Sequence, residues 1–158
     1  MNTYTVSFFG YRELDDPFRI EARLEKIVSD IIRTKEYAEF LVGRDGEFDI
    51  LSASVIRRMV KKHGYGSTAL VLVLPYMRAE FLNNQQSFQN YYDEIEICTE
   101  ASMAHYKSAI RIRNRSMVDR SDLVVCGIEH NSGGAYQTVQ YARKKKKNII
   151  NTAEPEPE

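Results

Sequence analysis

The residue types richest in chemistry fall in one stretch, His130-Asn131-Ser132-Gly133-Gly134-Ala135-Tyr136-Gln137-Thr138. Paired glycines ahead of a helix leave its first backbone N–H groups free, and the helix dipole adds to their pull on an anion such as phosphate. The hydroxyls of Ser132 and Thr138 supply further donors. The spacing is not a Walker A loop, because no Gly-Lys-Ser/Thr follows, and it is not the Gly-x-Gly-x-x-Gly dinucleotide fingerprint. The same residues also describe an ordinary entry from loop to helix.

Upstream, Arg111, Arg113, Arg115 and Arg120 stand with Asn114 and Asp119 on one predicted helix. Arg111 and Arg115, four apart, share a face, and Arg113 and Arg120 share another. A guanidinium beside a glycine loop grips phosphate bidentately, so Arg113 is the candidate clamp; a solvated basic face is the plainer alternative. Two further glycine turns complete the set. Gly10-Tyr11-Arg12-Glu13 brings a flexible backbone and an arginine together. Gly43-Arg44-Asp45-Gly46-Glu47-Phe48-Asp49 places two glycines before a helix that Asp49 is expected to cap. Its carboxylates oppose a bare phosphate and suit the hydroxyls of a ribose, which donate to them.

Other groups carry less. His63, His105 and His130 lack metal-ligand spacing, so no metal is expected. Cys98 and Cys126 make no disulfide framework, and Cys126 sits in an apolar run where packing is its ordinary role. No local serine, histidine and acid arrangement is visible. The run Arg143 to Lys147 reads as a solvated helix end.

The elements that must position these residues follow from pattern. Tyr4 to Phe9 is a strand ended by Gly10; Asp16-Pro17 starts a helix with Ile20, Leu24, Ile27, Val28 and Ile31 on one stripe. Glu39 to Val42 is a short strand, and the next helix, with Leu51, Val55, Ile56, Met59 and Val60 inward, ends at His63-Gly64. Ala69 to Leu74 is continuously apolar, the mark of a strand buried on both faces. Met77 to Tyr92 shows no clear period and reads as a lid or as a long loop with a helical turn. A weaker strand at Glu94 to Cys98, a helix within His105 to Arg120, a strand at Leu123 to Cys126, a helix from Gly133 to about Lys146 and a last strand at Asn148 to Asn151 complete the order. Such alternation predicts an α/β, Rossmann-like, mainly parallel sheet with helices on both faces in a single domain, with ligands beyond the carboxyl ends of its strands.

At 158 residues and 43% hydrophobic content the chain makes one domain with a real core. Residues 1–152 are expected to fold, and 153–158, Ala-Glu-Pro-Glu-Pro-Glu, to form a disordered acidic tail. Lys plus Arg and Asp plus Glu are both 22, which excludes a uniformly basic surface made for nucleic acid but not a local patch. No apolar run spans a membrane and Met1 to Phe9 lacks a signal peptide, so a cytoplasmic protein is expected.

Several of these motifs together resemble one family. Phe8-Phe9-Gly10-Tyr11-Arg12-Glu13, Val42-Gly43 with Gly46-Glu47-Phe48-Asp49, Arg113 to Asp122, Ser132 to Thr138 and Lys147 to Asn151 resemble a family of uncharacterised bacterial proteins in the SLOG superfamily. That superfamily is named for the DNA-processing proteins and the Lonely Guy phosphoribohydrolases. Tyr11 stands where histidine is commoner. The resemblance implies a Rossmann-like fold and a binding or sensing role toward a nucleotide or nucleotide derivative, with pairing into a homodimer through helices beside the sheet and no cofactor. The residues it implies as ligand-binding are Gly10, Arg12, Gly43, Gly46, Asp49, Asn114, Asp119, Ser132, Gly133, Gly134, Tyr136 and Thr138. Lonely Guy enzymes carry an arginine four residues before a methionine, then a Pro-Gly-Gly-x-Gly-Thr-x-x-Glu loop. Arg113 stands four before Met117, but Gln140 replaces the final glutamate and Tyr136 a glycine. An amide cannot act as a general base, so what carries over is phosphate and nucleotide binding rather than hydrolysis. Two alternatives stay open: a phosphoribohydrolase-like enzyme cleaving an N-glycosidic bond with Arg113 catalytic, and a nucleic-acid-associated or protein-interaction module using the basic runs.

Overall fold

A computed structural model describes residues 2–156. Strand β1 (Thr3–Gly10) is followed by α1 (Pro17–Thr34), β2 (Tyr37–Val42), α2 (Glu47–His63) and β3 (Thr68–Leu74). Two short helices, α3 (Ala79–Leu82) and α4 (Gln85–Tyr91), lead to β4 (Glu94–Ile97). Then come α5 (Thr99–Ser102), α6 (Tyr106–Asp119), β5 (Leu123–Gly127), α7 (Gly134–Lys144) and β6 (Asn148–Asn151).

The strands form one six-stranded sheet in the order β4-β3-β2-β1-β5-β6, and every pairing is parallel. Alternation along the strands divides the core. Val6, Phe8, Phe40, Leu70 and Leu72 meet the stripes of α1 and α2 on one face. Phe9, Leu41, Val71, Val73 and Val124 meet α5, α6 and α7 on the other. The predicted α/β, Rossmann-like architecture is therefore the observed one. Winding reverses between β1 and β5: these strands stay paired to Gly10 and Gly127, but the connections that leave them pass to α1 on one face and α7 on the other, which opens a crevice between the two loops.

Asp16 caps α1 as expected, its Oδ1 accepting from the Arg19 N–H at 3.3 Å with Pro17 as first helical residue. The cap expected at Asp49 is corrected. Helix α2 begins at Glu47 with Gly46 as N-cap, and Asp49 lies one turn inside, its Oδ2 accepting from the backbone N–H of Asp45 at 2.8 Å. Met77 to Tyr92 is no lid: Phe81, Phe88 and Tyr92 anchor α3 and α4 in the core beside α1 and α2. Helix α7 stops at Lys144, short of the expected Lys146, whose φ of 59° is left-handed. Residues 153–156 of the expected tail lie against α1, where Arg19 donates to the Ala153 carbonyl at 2.8 Å and Lys26 pairs with Glu156; 157–158 lie outside the described residues. Among the described residues no helix is long and apolar enough to cross a membrane.

Candidate functional site

A cleft of about 440 Å³ opens at the carboxyl ends of β1, β2 and β5. Gly10, Tyr11 and Arg12 line it from the turn after β1, and Gly43, Asp45 and Asp49 from the turn after β2. Arg113 and Asn114 reach it from α6, and Gly133, Gly134 and Ala135 from the start of α7. A larger depression, about 690 Å³ between α1 and β6, lies away from these strand ends. The chemistry, not the size, distinguishes the cleft.

The start of α7 supplies its donors. Gly133, the N-cap, has φ of 97°, a conformation that a side chain would strain. The first helical bond there runs from the Gln137 N–H to the Gly133 carbonyl at 3.0 Å, so the N–H groups of Gly134, Ala135 and Tyr136 precede any acceptor in the helix. A Cβ built on Gly134 meets nothing within 4 Å, which leaves these amides open to the cleft. Tyr11 fixes the loop before them. Its hydroxyl donates to the His130 carbonyl at 2.5 Å and accepts from the His130 N–H at 3.1 Å, with the Ser132 carbonyl 3.2 Å away. Arg12, beside Tyr11, is exposed, and its guanidinium has no hydrogen bond or ion pair among the described residues.

The α2 turn looks similar in sequence and differs in structure. The Glu47 N–H donates to the Arg12 carbonyl at 2.9 Å and the Phe48 N–H to the Tyr11 carbonyl at 3.3 Å. Glu47 in turn accepts the Leu14 N–H at 2.6 Å. This helix start is occupied by the protein's own backbone, and its amides brace the first turn. Gly46 permits it: a Cβ at that position would lie 2.3 Å from the Arg12 Cα.

Arg113 lines the cleft, but protein acceptors take its fork. It is 2% exposed, and Nη2 pairs with Asp45 Oδ2 at 2.5 Å, Nη1 donates to the Val73 carbonyl at 3.1 Å and Nε to Asn114 Oδ1 at 3.0 Å. Asn114 Nδ2 donates to Thr138 Oγ1 at 3.2 Å, and that hydroxyl donates to the Gly134 carbonyl at 3.0 Å. A chain of bonds thus runs from Asp45 through Arg113, Asn114 and Thr138 to the start of α7. Arg78 holds the other oxygen of Asp45 at 2.6 Å. Burial alone would raise the Asp45 carboxyl, but Arg113 and Arg78 outweigh it and hold it below its ordinary value. Asp49 has no such partner. Burial pushes it up to about 6, against the Asp45 N–H that lowers it, with the Asp45 charge adding to the rise.

Of the residues expected from sequence, Gly10, Arg12, Gly43, Asp49, Arg113, Asn114, Gly133 and Gly134 converge on the cleft. Gly46, Ser132 and Thr138 support its walls from outside the lining. Asp119 sits at the far end of α6, accepting from the Tyr141 hydroxyl at 2.6 Å, and Tyr136 faces a neighbouring depression with Gln140 and Arg143. Arg111, Arg115 and Arg120 are exposed, as the solvated-face alternative has it. Sequence reasoning left Tyr11 and Asp45 off the site. For Tyr11 the signal was present, a tyrosine where histidine is commoner; Asp45 had none beyond its place in the turn. Asp15, Glu129 and His130 also meet at the mouth, their ligand atoms all within 4.8 Å. His130 Nε2 lies 3.6 Å from Asp15 Oδ2, and burial, then the hydrogen bond and charge of Asp15, raise the Glu129 carboxyl. The trio is a surface contact between two loops, an imidazole beside two carboxylates, and carries no further assignment.

Compared with known proteins, the chain matches no family model and no curated sequence. Solved structures do match. The fold resembles that of DNA processing protein A. The protein from Streptococcus pneumoniae superposes with a TM-score of 0.66 at 15% identity, over 93% of this chain and 49% of that one. The protein from Helicobacter pylori, described for its single-stranded DNA binding mode, gives 0.63 at 17% identity, over 92% of this chain and 63% of that one. The chain thus spans about half to under two-thirds of the length of these neighbours. They share its Rossmann-like architecture.

Proposed function

We propose that the protein binds the phosphate of a nucleotide unit in the cleft at the carboxyl ends of β1, β2 and β5. One observation carries this reading: Gly134 and Ala135, whose amides have no acceptor in α7, and Arg12, whose guanidinium is unpaired among the described residues, line the same cavity. Amides at a helix start and a free arginine are complementary to one dianionic group. Arg113 acts here as the strut that sets Asn114 and α7, not as the clamp. Single-stranded nucleic acid is the source of the phosphate that the comparisons favour, because a neighbour of this fold is described as binding single-stranded DNA. A free mononucleotide is the second reading, favoured by a cavity of about 440 Å³, within the range of small-molecule sites. Gln140, an amide, stands where the hydrolases carry their glutamate, so binding rather than bond cleavage is proposed. A cytoplasmic location and a homodimer are consistent with this role and belong to the same proposal.

The test is a titration with fluorescent oligothymidylate and oligouridylate and, separately, with mononucleotides. Arg12→Ala and Gly134→Pro are the variants; the second deletes one amide at a position where helices accept proline. Each is expected to weaken binding roughly tenfold, as loss of a charge-assisted contact does. Binding that is unchanged in both variants places the ligand elsewhere and overturns the proposal. Tighter binding of the oligonucleotide selects the first source, and tighter binding of the mononucleotide the second.

A further inference from the structure

The turn after β2 holds a group that phosphate recognition does not use. Asp49 is 8% exposed, yet it lines the cleft. Its Oδ2 accepts one backbone N–H, from Asp45, and no donor reaches Oδ1 among the described residues. The arginines nearby are committed elsewhere, Arg113 and Arg78 both to Asp45. A carboxylate offers about four acceptor sites, and buried ones are ordinarily filled. Gly43 packs tightly beside it: a Cβ there would lie 3.0 Å from Arg113 Nη1, 3.1 Å from Asp49 Oδ2 and 3.2 Å from Asp45 Oδ2. The missing side chain keeps a narrow notch in the cleft wall, which Gly43, Asp45 and Asp49 all line.

A second phosphate cannot fill that notch, because two buried carboxylates repel it. A neutral hydrogen-bond donor can. Resting on the phosphate reading above, we propose that Asp49 accepts a hydrogen bond from a sugar hydroxyl of the bound nucleotide, so that the cleft selects ribonucleotide units over deoxyribonucleotide units. In a nucleotide the donors closest to the phosphate are the sugar hydroxyls, so one ligand spans from the amides of α7 to the notch at Gly43. The raised proton affinity of Asp49 in the free protein agrees with a carboxylate short of donors. Dinucleotide-binding sheets also carry an acidic residue after their second strand toward a ribose hydroxyl, although this chain lacks the rest of that fingerprint.

Calorimetric titration with AMP, 2′-deoxy-AMP and 3′-deoxy-AMP tests it. 2′-Deoxy-AMP is expected to bind roughly tenfold more weakly than AMP, the loss typical of a hydrogen bond to a charged group, and a penalty confined to 3′-deoxy-AMP overturns the selection of ribonucleotide units. Asp49→Asn keeps an acceptor for the Asp45 N–H and is expected to shrink that penalty by weakening AMP alone. Equal affinity for all three nucleotides overturns the inference and leaves phosphate binding standing, and so does a penalty that survives intact in Asp49→Asn. Failure of all three to bind, with inorganic phosphate also inert, overturns the phosphate reading and this inference with it.

Discussion

Two glycine-bearing turns precede helices on the same edge of the sheet, and they do opposite things. At α7 the first-turn amides face the cleft and Gly134 has open space where a side chain would sit. At α2 the corresponding amides bond the carbonyls of Tyr11 and Arg12, and Gly46 is pressed against the Arg12 backbone. One glycine exposes a backbone and the other lets two backbones touch. Composition and spacing alone cannot separate these uses. What separates them is whether another loop of the protein occupies the helix start.

Four substitutions test that contrast. The largest effect is expected from Asp45→Ala in the α2 turn, which strips the partner from the buried Arg113 and from Arg78. An unpaired buried charge costs about 3–5 kcal/mol, read as a loss of unfolding free energy in urea; a loss below about 1 kcal/mol would mean that Val73 and Asn114 suffice for Arg113. Gly46→Ala follows, at about 2–3 kcal/mol, because a Cβ 2.3 Å from the Arg12 Cα must move backbone rather than a side chain.

Asp49→Asn is expected to act with the opposite sign. Asp49 titrates ordinarily at 3.8 and at about 6 in the fold, so the native state holds a proton that the unfolded chain has already released. Its contribution is present below the lower value and is lost as pH rises through 6, about 3 kcal/mol in all. Relative to wild type, the variant should therefore gain stability between pH 4.5 and pH 7.5 in parallel denaturation curves. A difference that stays constant with pH removes the buried-carboxylate account.

The smallest effect belongs to Gly134→Ala in the α7 turn. With nothing within 4 Å of the new methyl group, stability should stay within about 1 kcal/mol of wild type or rise slightly. A loss as large as that of Gly46→Ala would erase the distinction between the two turns.

Much of the fold was legible because local signals agreed with the global pattern. Asp16-Pro17 announced α1, and the unbroken apolar run of β3 announced a strand covered on both faces. Helices α3 and α4 were not legible. They have four and seven residues, too short for a period to show, and are fixed by Phe81, Phe88 and Tyr92 finding the core. At the cleft, sequence named the turns and eight of the residues that line it. Roles were harder to read. Arg113 reads as a surface clamp until Asp45, 68 residues earlier, is seen to bury with it. Asp49 reads as a cap until Tyr11 and Arg12 are seen lying on the helix start.

The reversal of winding beside β1 has a consequence for assembly. A backbone cut between β4 and α6 would leave Arg12, Asp45 and Asp49 in one fragment, and Arg113, Asn114 and Gly133 in the other. Neither piece alone contains this cleft, only half of its wall. Reunion of the fragments and creation of the binding site would be a single event, so a ligand specific for the cleft acts as the glue for its own receptor.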